Sequence, residues 1–335
     1  MTRPDGILLV NLGTPERPET AEVAAYLREF LGDPRVIDLP GPLRWFLVNR
    51  IIVPRRAALS AANYRKVWTE EGSPLMVHGT ALRHGLEAEL GGDVVLAMRY
   101  GQPSIRTGLE TLAARGRRRP LVVPLFPQFA EATTGSVIAK VKDEIRRAGL
   151  ALEPRFIEDF ADHPAFIEAQ ARLIREHADL AAADCLLLSF HGLPERQIRK
   201  ADPDGGCLRP GCCERAEARN ARCYRARCQA SARALVAALG LPAEKAQVAF
   251  QSRLGRAKWI EPYTDQVVSE MLERGRRHFV VVSPAFVADC IETLDELGIG
   301  LREQIEAAGG RLELVPCVNA APHWVAGLAR MLTEV

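Results

Sequence analysis

Leu8-Leu9-Val10-Asn11-Leu12-Gly13-Thr14-Pro15 and Leu187-Leu188-Ser189-Phe190-His191-Gly192-Leu193-Pro194 share one pattern. Each is a short apolar run that stops at a Gly and, two residues on, a Pro. A second echo joins Val122-Val123-Pro124-Leu125-Phe126 to Val281-Val282-Ser283-Pro284-Ala285-Phe286. Runs apolar on both faces belong to parallel strands covered by helices on both sides. The repeat predicts an α/β fold of two similar domains, each a four-stranded parallel sheet flanked by helices, with an active-site cleft between them. Ligands in such folds bind beyond the C-terminal strand ends.

The strand pattern recurs at 6–10, 94–98, 121–125 and 152–156, and again at 185–190, 246–250, 279–283 and 312–315. Helical patterns fill the intervals, among them 20–31, 80–90, 135–148, 164–178, 230–239, 263–274 and 290–307. The chain divides into an N-terminal domain, 1–160, and a C-terminal domain, 161–335, with the last helix free to pack on the first domain. No G-x-G-x-x-G follows the first strand, which speaks against a dinucleotide.

The chain has 335 residues, 47% hydrophobic and 26% charged, with a formal net charge of +2. Those values suit a folded protein with two cores and leave no basic surplus for nucleic acid. No run approaches the roughly 18 apolar residues of a membrane span. The first strand begins without a secretory leader pattern, which predicts a cytoplasmic protein, where disulfides are rare. One segment stands apart: Leu39-Pro40-Gly41-Pro42-Leu43-Arg44-Trp45-Phe46-Leu47-Val48-Asn49-Arg50-Ile51-Ile52-Val53-Pro54-Arg55-Arg56 mixes large apolar side chains with Arg. It reads as a core helix or as an interfacial segment that offers its apolar side to lipid or a greasy ligand.

His191 closes the strand at 185–190. A lone His is commonly structural. At the end of a parallel strand it is placed to work, because a neutral imidazole takes a proton near pH 7 or binds a transition metal. Asp289, Glu292 and Glu296 stand at i, i+3 and i+7 of a helical pattern, so an α-helix carries them on one face. They read as helix-dipole partners or as a path for protons or a divalent cation. Five cysteines crowd one loop, Cys207, Cys212, Cys213, Cys223 and Cys228, spaced C-x4-C-C-x9-C-x4-C. In a cytosolic chain such thiols point to a metal site, and the spacing lacks the C-x2-C pair of a zinc ribbon. Cys185, Cys290 and Cys317 are isolated and read as small core residues.

These residues carry a resemblance. The relevant stretches are Val10-Asn11-Leu12-Gly13-Thr14-Pro15, Gly72-Ser73-Pro74-Leu75, Met98-Arg99-Tyr100-Gly101 and Pro127-Gln128-Phe129 with Thr133-Thr134-Gly135-Ser136. The His191 motif, Gln251-Ser252-Arg253 with Trp259, and Cys290-Ile291-Glu292-Thr293-Leu294 complete the set. In order, and over nearly the whole chain, they resemble the motifs of ferrochelatases. The resemblance implies two Rossmann-like domains and a lyase that inserts Fe2+ into protoporphyrin IX, releasing two protons, in the last step of haem synthesis. It implies His191 and Glu292 as catalytic residues and ligands of the incoming Fe2+, with Asp289 and Glu296 extending a proton or metal path. It assigns Leu12, Arg56, Tyr64, Ser73, Arg99, Tyr100, Trp259 and Phe286 to the porphyrin. Segment 39–56 would form a lip that meets the membrane, in a monomer or homodimer held peripherally at the inner face of the cytoplasmic membrane. Cys290 departs from the pattern, since many ferrochelatases carry His there, and Gly300 shortens the acidic row.

Coproporphyrin or another tetrapyrrole is the nearest alternative substrate. A non-catalytic tetrapyrrole-binding or iron-sensing protein is the alternative from another class, and the paired His191 and Glu292 favour an enzyme. Some bacterial ferrochelatases hold a 2Fe–2S cluster on an internal insertion like 202–228. The resemblance therefore implies such a cluster on four of Cys207, Cys212, Cys213, Cys223 and Cys228, with structural zinc as the alternative. Arg209, Arg215, Arg219, Arg222, Arg225 and Arg227 would offset its charge. The spacing does not choose the four.

Overall fold

The computed structural model describes residues 4–202, 205–214, 217–253, 255 and 257–334. Arg215, one of the arginines expected around the cysteines, lies outside them. Among the described residues, β1 (Ile7–Gly13), β2 (Val94–Tyr100), β3 (Leu121–Pro124) and β4 (Arg155–Phe156) form a parallel sheet in the order β2-β1-β3-β4. A second parallel sheet contains β5 (Cys185–His191), β6 (Ala246–Gln251), β7 (His278–Val282) and β8 (Arg311–Leu314) in the order β6-β5-β7-β8. The shared order is the sequence repeat in three dimensions. Leu8, Leu9 and Val10 in β1, and Leu187, Leu188 and Phe190 in β5, have no exposed surface. Both faces of each central strand are covered, which is why the strands read as unbroken apolar runs. Two compact units contain the sheets: Met1–Leu125 with Glu131–Glu158 and Leu328–Val335, and Phe126–Ala130 with Asp159–Gly327.

The repeated glycine has a steric cause. Gly13 has φ +121°, and a Cβ there would lie 1.8 Å from the Tyr100 carbonyl oxygen. A Cβ at Gly192 would lie 2.9 Å from the Gln251 carbonyl oxygen. Glycine lets the end of each central strand close on its neighbour. The residue before it, Leu12 or His191, is thereby set at the strand's C-terminal end.

In the second sheet, Leu187, Phe279 and Val281 share a core with Val268, Leu297, Leu301 and Ile305. Cys185 belongs to it as the small hydrophobe expected, and burial pushes its thiol up to about 11. The pattern at 290–307 predicts one α-helix. Instead, Glu292–Leu301 is a π-helix and only Arg302–Ala307 is α-helical. Gly298 and Gly300 weaken the α-turn there, and burial of Leu297 and Leu301 fastens the wider one to the sheet.

Candidate active site

His191 is the last residue of β5, and the Tyr224 hydroxyl donates to its carbonyl at 2.8 Å. Its Nδ1 lies 2.6 Å from the Gly192 carbonyl oxygen. A carbonyl only accepts, so Nδ1 carries the proton and Nε2 bears the lone pair. The ring is half-buried, with the ring centroids of Trp259 and Phe286 each 6.3 Å away. Burial pushes the imidazole pKa down; the Glu292 carboxylate and the Gly192 hydrogen bond oppose this without overcoming it. His191 is therefore neutral at pH 7 and able to accept a proton.

Glu292 is half-buried and opens the π-helix. The Gln251 side-chain amide donates to its backbone carbonyl at 2.9 Å. The expected row of three carboxylates is broken, because Asp289 precedes the helix. Its buried carboxylate accepts from the Thr293 hydroxyl at 2.9 Å and the Asn319 amide at 2.7 Å. These donors satisfy a buried polar group and tie Asp289 to Thr293 and Asn319. Glu296 is exposed and accepts from the Ser252 hydroxyl. Cys290 and Cys317 are buried, as expected of small core residues. Burial first, then the charge of Glu292, pushes the Cys290 thiol up.

The other residues assigned to the porphyrin belong to the first unit. Leu12 is half-buried and Arg56 is exposed. Tyr64 packs edge-on against Trp68, ring centroids 6.1 Å apart, and Ser73 Oγ accepts from the Thr14 hydroxyl at 2.8 Å. Arg99 and Tyr100 converge on Asp33, which the sequence reading missed. Arg99 donates to Asp33 at 2.5 Å and to Ser136 at 2.7 Å; the hydroxyls of Tyr100 and Ser136 donate to Asp33 at 3.0 and 2.6 Å. Tyr100 has no exposed surface. As placed, it supports Arg99 and offers no ring face to a ligand.

Burial pushes the Asp33 carboxyl up. Hydrogen bonds from Ser136 and the Arg35 N–H, and the charge of Arg99, outweigh it and leave the pKa below its ordinary 3.8. A carboxyl lowered by folding adds stability at neutral pH, and this drains as pH falls below the ordinary value and through the folded one. Asp33→Asn should therefore cost about 2–3 kcal/mol at pH 7, since Arg99 loses its counter-charge. The gap in melting temperature to wild type should narrow as pH falls below about 3.8, the ordinary carboxyl value. A gap that stays constant as pH falls below that value would assign the loss to packing instead.

The structure sorts the five clustered cysteines. Cys212 Sγ and Cys213 Sγ lie 3.5 Å apart, and Cys223 is hydrogen-bonded with both Cys213 and Cys207. Hydrogen bonding from Cys213, helped by Cys207 and backbone N–H groups, overcomes burial and pulls the Cys223 thiol down to about 6. Arg225 approaches Cys213 Sγ at 3.8 Å. Cys228 shares no thiol hydrogen bond with these among the described residues: it has no exposed surface, shares a hydrogen bond with Tyr224, and feels Cys223 only through its charge. Among the described residues, no three His, Cys, Asp or Glu side chains gather where they could hold a metal ion. That holds for a zinc ion and for a 2Fe–2S cluster alike, since each takes four protein ligands.

The ferrochelatase family profile matches residues 4–335. The chain is 48% identical over 326 residues to the ferrochelatase of Ectopseudomonas mendocina, covering 96% of this chain and 95% of that one. It is 48% identical over 330 residues to the ferrochelatase of Azotobacter vinelandii, covering 97% of each. Among solved structures, SirB from Bacillus subtilis with Fe3+ superposes with a TM-score of 0.57 at 12% identity, covering 98% of this chain and 95% of that one. At that identity the likeness is one of fold.

Proposed function

The chain belongs to the ferrochelatase family, and from that premise we propose how its residues divide the work. The enzyme is a lyase that inserts Fe2+ into protoporphyrin IX with release of two protons, closing haem synthesis. The free porphyrin holds two inner N–H protons that must leave as iron enters. A base in a water-poor site takes them, and His191 is that base. The carrying observation is its tautomer: Nδ1–H is committed to the Gly192 carbonyl, so Nε2 is the accepting atom. Glu292 stabilises the imidazolium that forms and takes the second proton or hands over Fe2+. Imidazole and carboxylate both suit that ion. Trp259 and Phe286 give the macrocycle flat apolar surface, and Leu12, Tyr64, Ser73, Arg56 and Arg99 are assigned to it by family. Anaerobic incubation with Fe2+ and porphyrin tests the reading. Many equivalents of haem per chain mark the enzyme; at most about one would mark a carrier.

The cysteine loop fits a 2Fe–2S cluster in donor type and number. Such a cluster takes four thiolates, and Cys207, Cys223, Cys213 and Cys212 form a chain of thiol hydrogen bonds in that order, with Cys223 already lowered. The cluster would cross-link the loop and supply a one-electron centre. No step of iron insertion passes through it.

Association with the membrane is assigned to the helical run Gly41–Phe46, Leu47–Ile52 and Val53–Val67. Among the described residues, the large apolar side chains with most of their surface exposed are Leu43, Trp45, Phe46 and Leu59, at 53%, 58%, 52% and 62%. Arg50, Arg55 and Arg56 are exposed beside them, a pairing that suits an anionic lipid surface. No helix among the described residues is long and apolar enough to cross a membrane. Trp45→Ser with Phe46→Ser should lower binding to anionic vesicles at least about tenfold, since each aromatic contributes on the order of 1 kcal/mol or more when buried. Unchanged vesicle binding would leave this surface to the porphyrin alone.

A further inference from the structure

We infer that Gln251 is a positioning residue that sets Glu292 against His191. The inference rests on the assignment of those two residues to proton removal. Gln251 is the last residue of β6 and pairs across the sheet with His191, and its carbonyl accepts from the Gly192 N–H at 2.8 Å. Its buried side chain reaches two further elements: Nε2 donates to the Glu292 carbonyl at 2.9 Å, and Oε1 accepts from the Ser189 hydroxyl at 2.7 Å. The amide has one way round. A backbone carbonyl only accepts, so the NH2 faces Glu292 and the oxygen faces Ser189. Ser189 is itself held by the Thr264 hydroxyl at 2.8 Å. One side chain thus ties the strand that ends in His191 to the first residue of the π-helix that carries Glu292.

The next residue adds a second tie. Ser252 has φ +68°, a left-handed conformation uncommon for a residue with a Cβ, and its hydroxyl donates to Glu296. Residues 251 and 252 therefore grip the π-helix at 292 and 296, about one wide turn apart. The amide of Gln251 is committed to Ser189 and Glu292, so it acts through them and is not itself catalytic. A misplacement of about 1 Å in a reacting pair costs on the order of 10²-fold in rate, so the grip has kinetic weight.

Gln251→Glu keeps an acceptor for Ser189 and removes the donor to Glu292. It should lower kcat for iron insertion roughly 10–100-fold. The porphyrin KM, and porphyrin affinity read by fluorescence quenching, should stay within about twofold, because the acting contact is to a catalytic residue. In a Glu292→Gln background the same change should cost less than about twofold more, because its effect passes through Glu292. A single-variant kcat within about twofold of wild type overturns the role, as does a loss that multiplies with that of Glu292→Gln. His191→Ala and Glu292→Gln are measured alongside. Full turnover in both removes the assignment beneath, whereas loss in both with normal Gln251→Glu removes the positioning role alone. Should Gln251→Glu fail to fold, Ser189→Ala frees the amide oxygen and is read the same way. A kcat loss of about three- to tenfold that vanishes in the Glu292→Gln background supports the role, and any other pattern refutes it.

Discussion

Replacing His191 by Ala should cut kcat for iron insertion by roughly 10²–10⁴-fold, the range for losing a positioned general base, with porphyrin affinity changed less than about threefold. The two quantities separate because they have different sources. Affinity comes from apolar area, and the imidazole is a small part of it beside Trp259 and Phe286. Turnover needs a proton acceptor, and the Gly192 carbonyl leaves Nε2 as the accepting atom. Burial lowers the His191 pKa against the opposing charge of Glu292. The acid limb of the wild-type pH–rate profile should therefore fall below about 6.5, the ordinary value for His, and be absent from the residual rate of His191→Ala. Near-normal turnover in this variant, or an acid limb at or above pH 6.5 in the wild type, would falsify the assignment.

Single Cys→Ser changes at 207, 212, 213 and 223 should each abolish the reddish-brown colour of anaerobically purified protein, while Cys228→Ser keeps it. Iron and acid-labile sulfide should be present at about two each per chain in the wild type and in Cys228→Ser, and near zero in the other four. Spacing alone leaves both Cys213 and Cys228 as candidates for the spared thiol. Tertiary placement separates them: Cys213 touches Cys212 and shares a hydrogen bond with Cys223, while Cys228 is sealed against Tyr224. Loss of the cluster should also lower the melting temperature by several degrees, because a loop closed by four bonds regains its chain entropy when they break. Colourless wild-type protein from iron-replete cells, without sulfide, would end the cluster reading.

The strands were legible because their signal is local. A run such as Leu187-Leu188-Ser189-Phe190 is apolar on both faces wherever it is placed, and the Gly after His191 marks the close approach to Gln251 that only a missing Cβ allows. The ordered motifs likewise identify the family from the chain alone. Four things were not legible. The π-helix at Glu292–Leu301 shares its apolar spacing with an α-helix, and only packing on the sheet selects the wider turn. Asp289 looks like a helix-face carboxylate until Asn319 and Thr293 turn it inward. Asp33 carries no local mark, since its partners Arg99 and Ser136 lie 66 and 103 residues away. Gln251 stands in a motif, yet its task appears only when Ser189 and Glu292 close on either end of its amide. Periodicity and residue type act over one or two turns of chain and determine elements, while the ordered motifs over the whole chain determine the family. Hydrogen bonds and desolvation depend on where distant segments meet, so which carboxylate faces His191 and which thiols touch one another were decided by the tertiary fold.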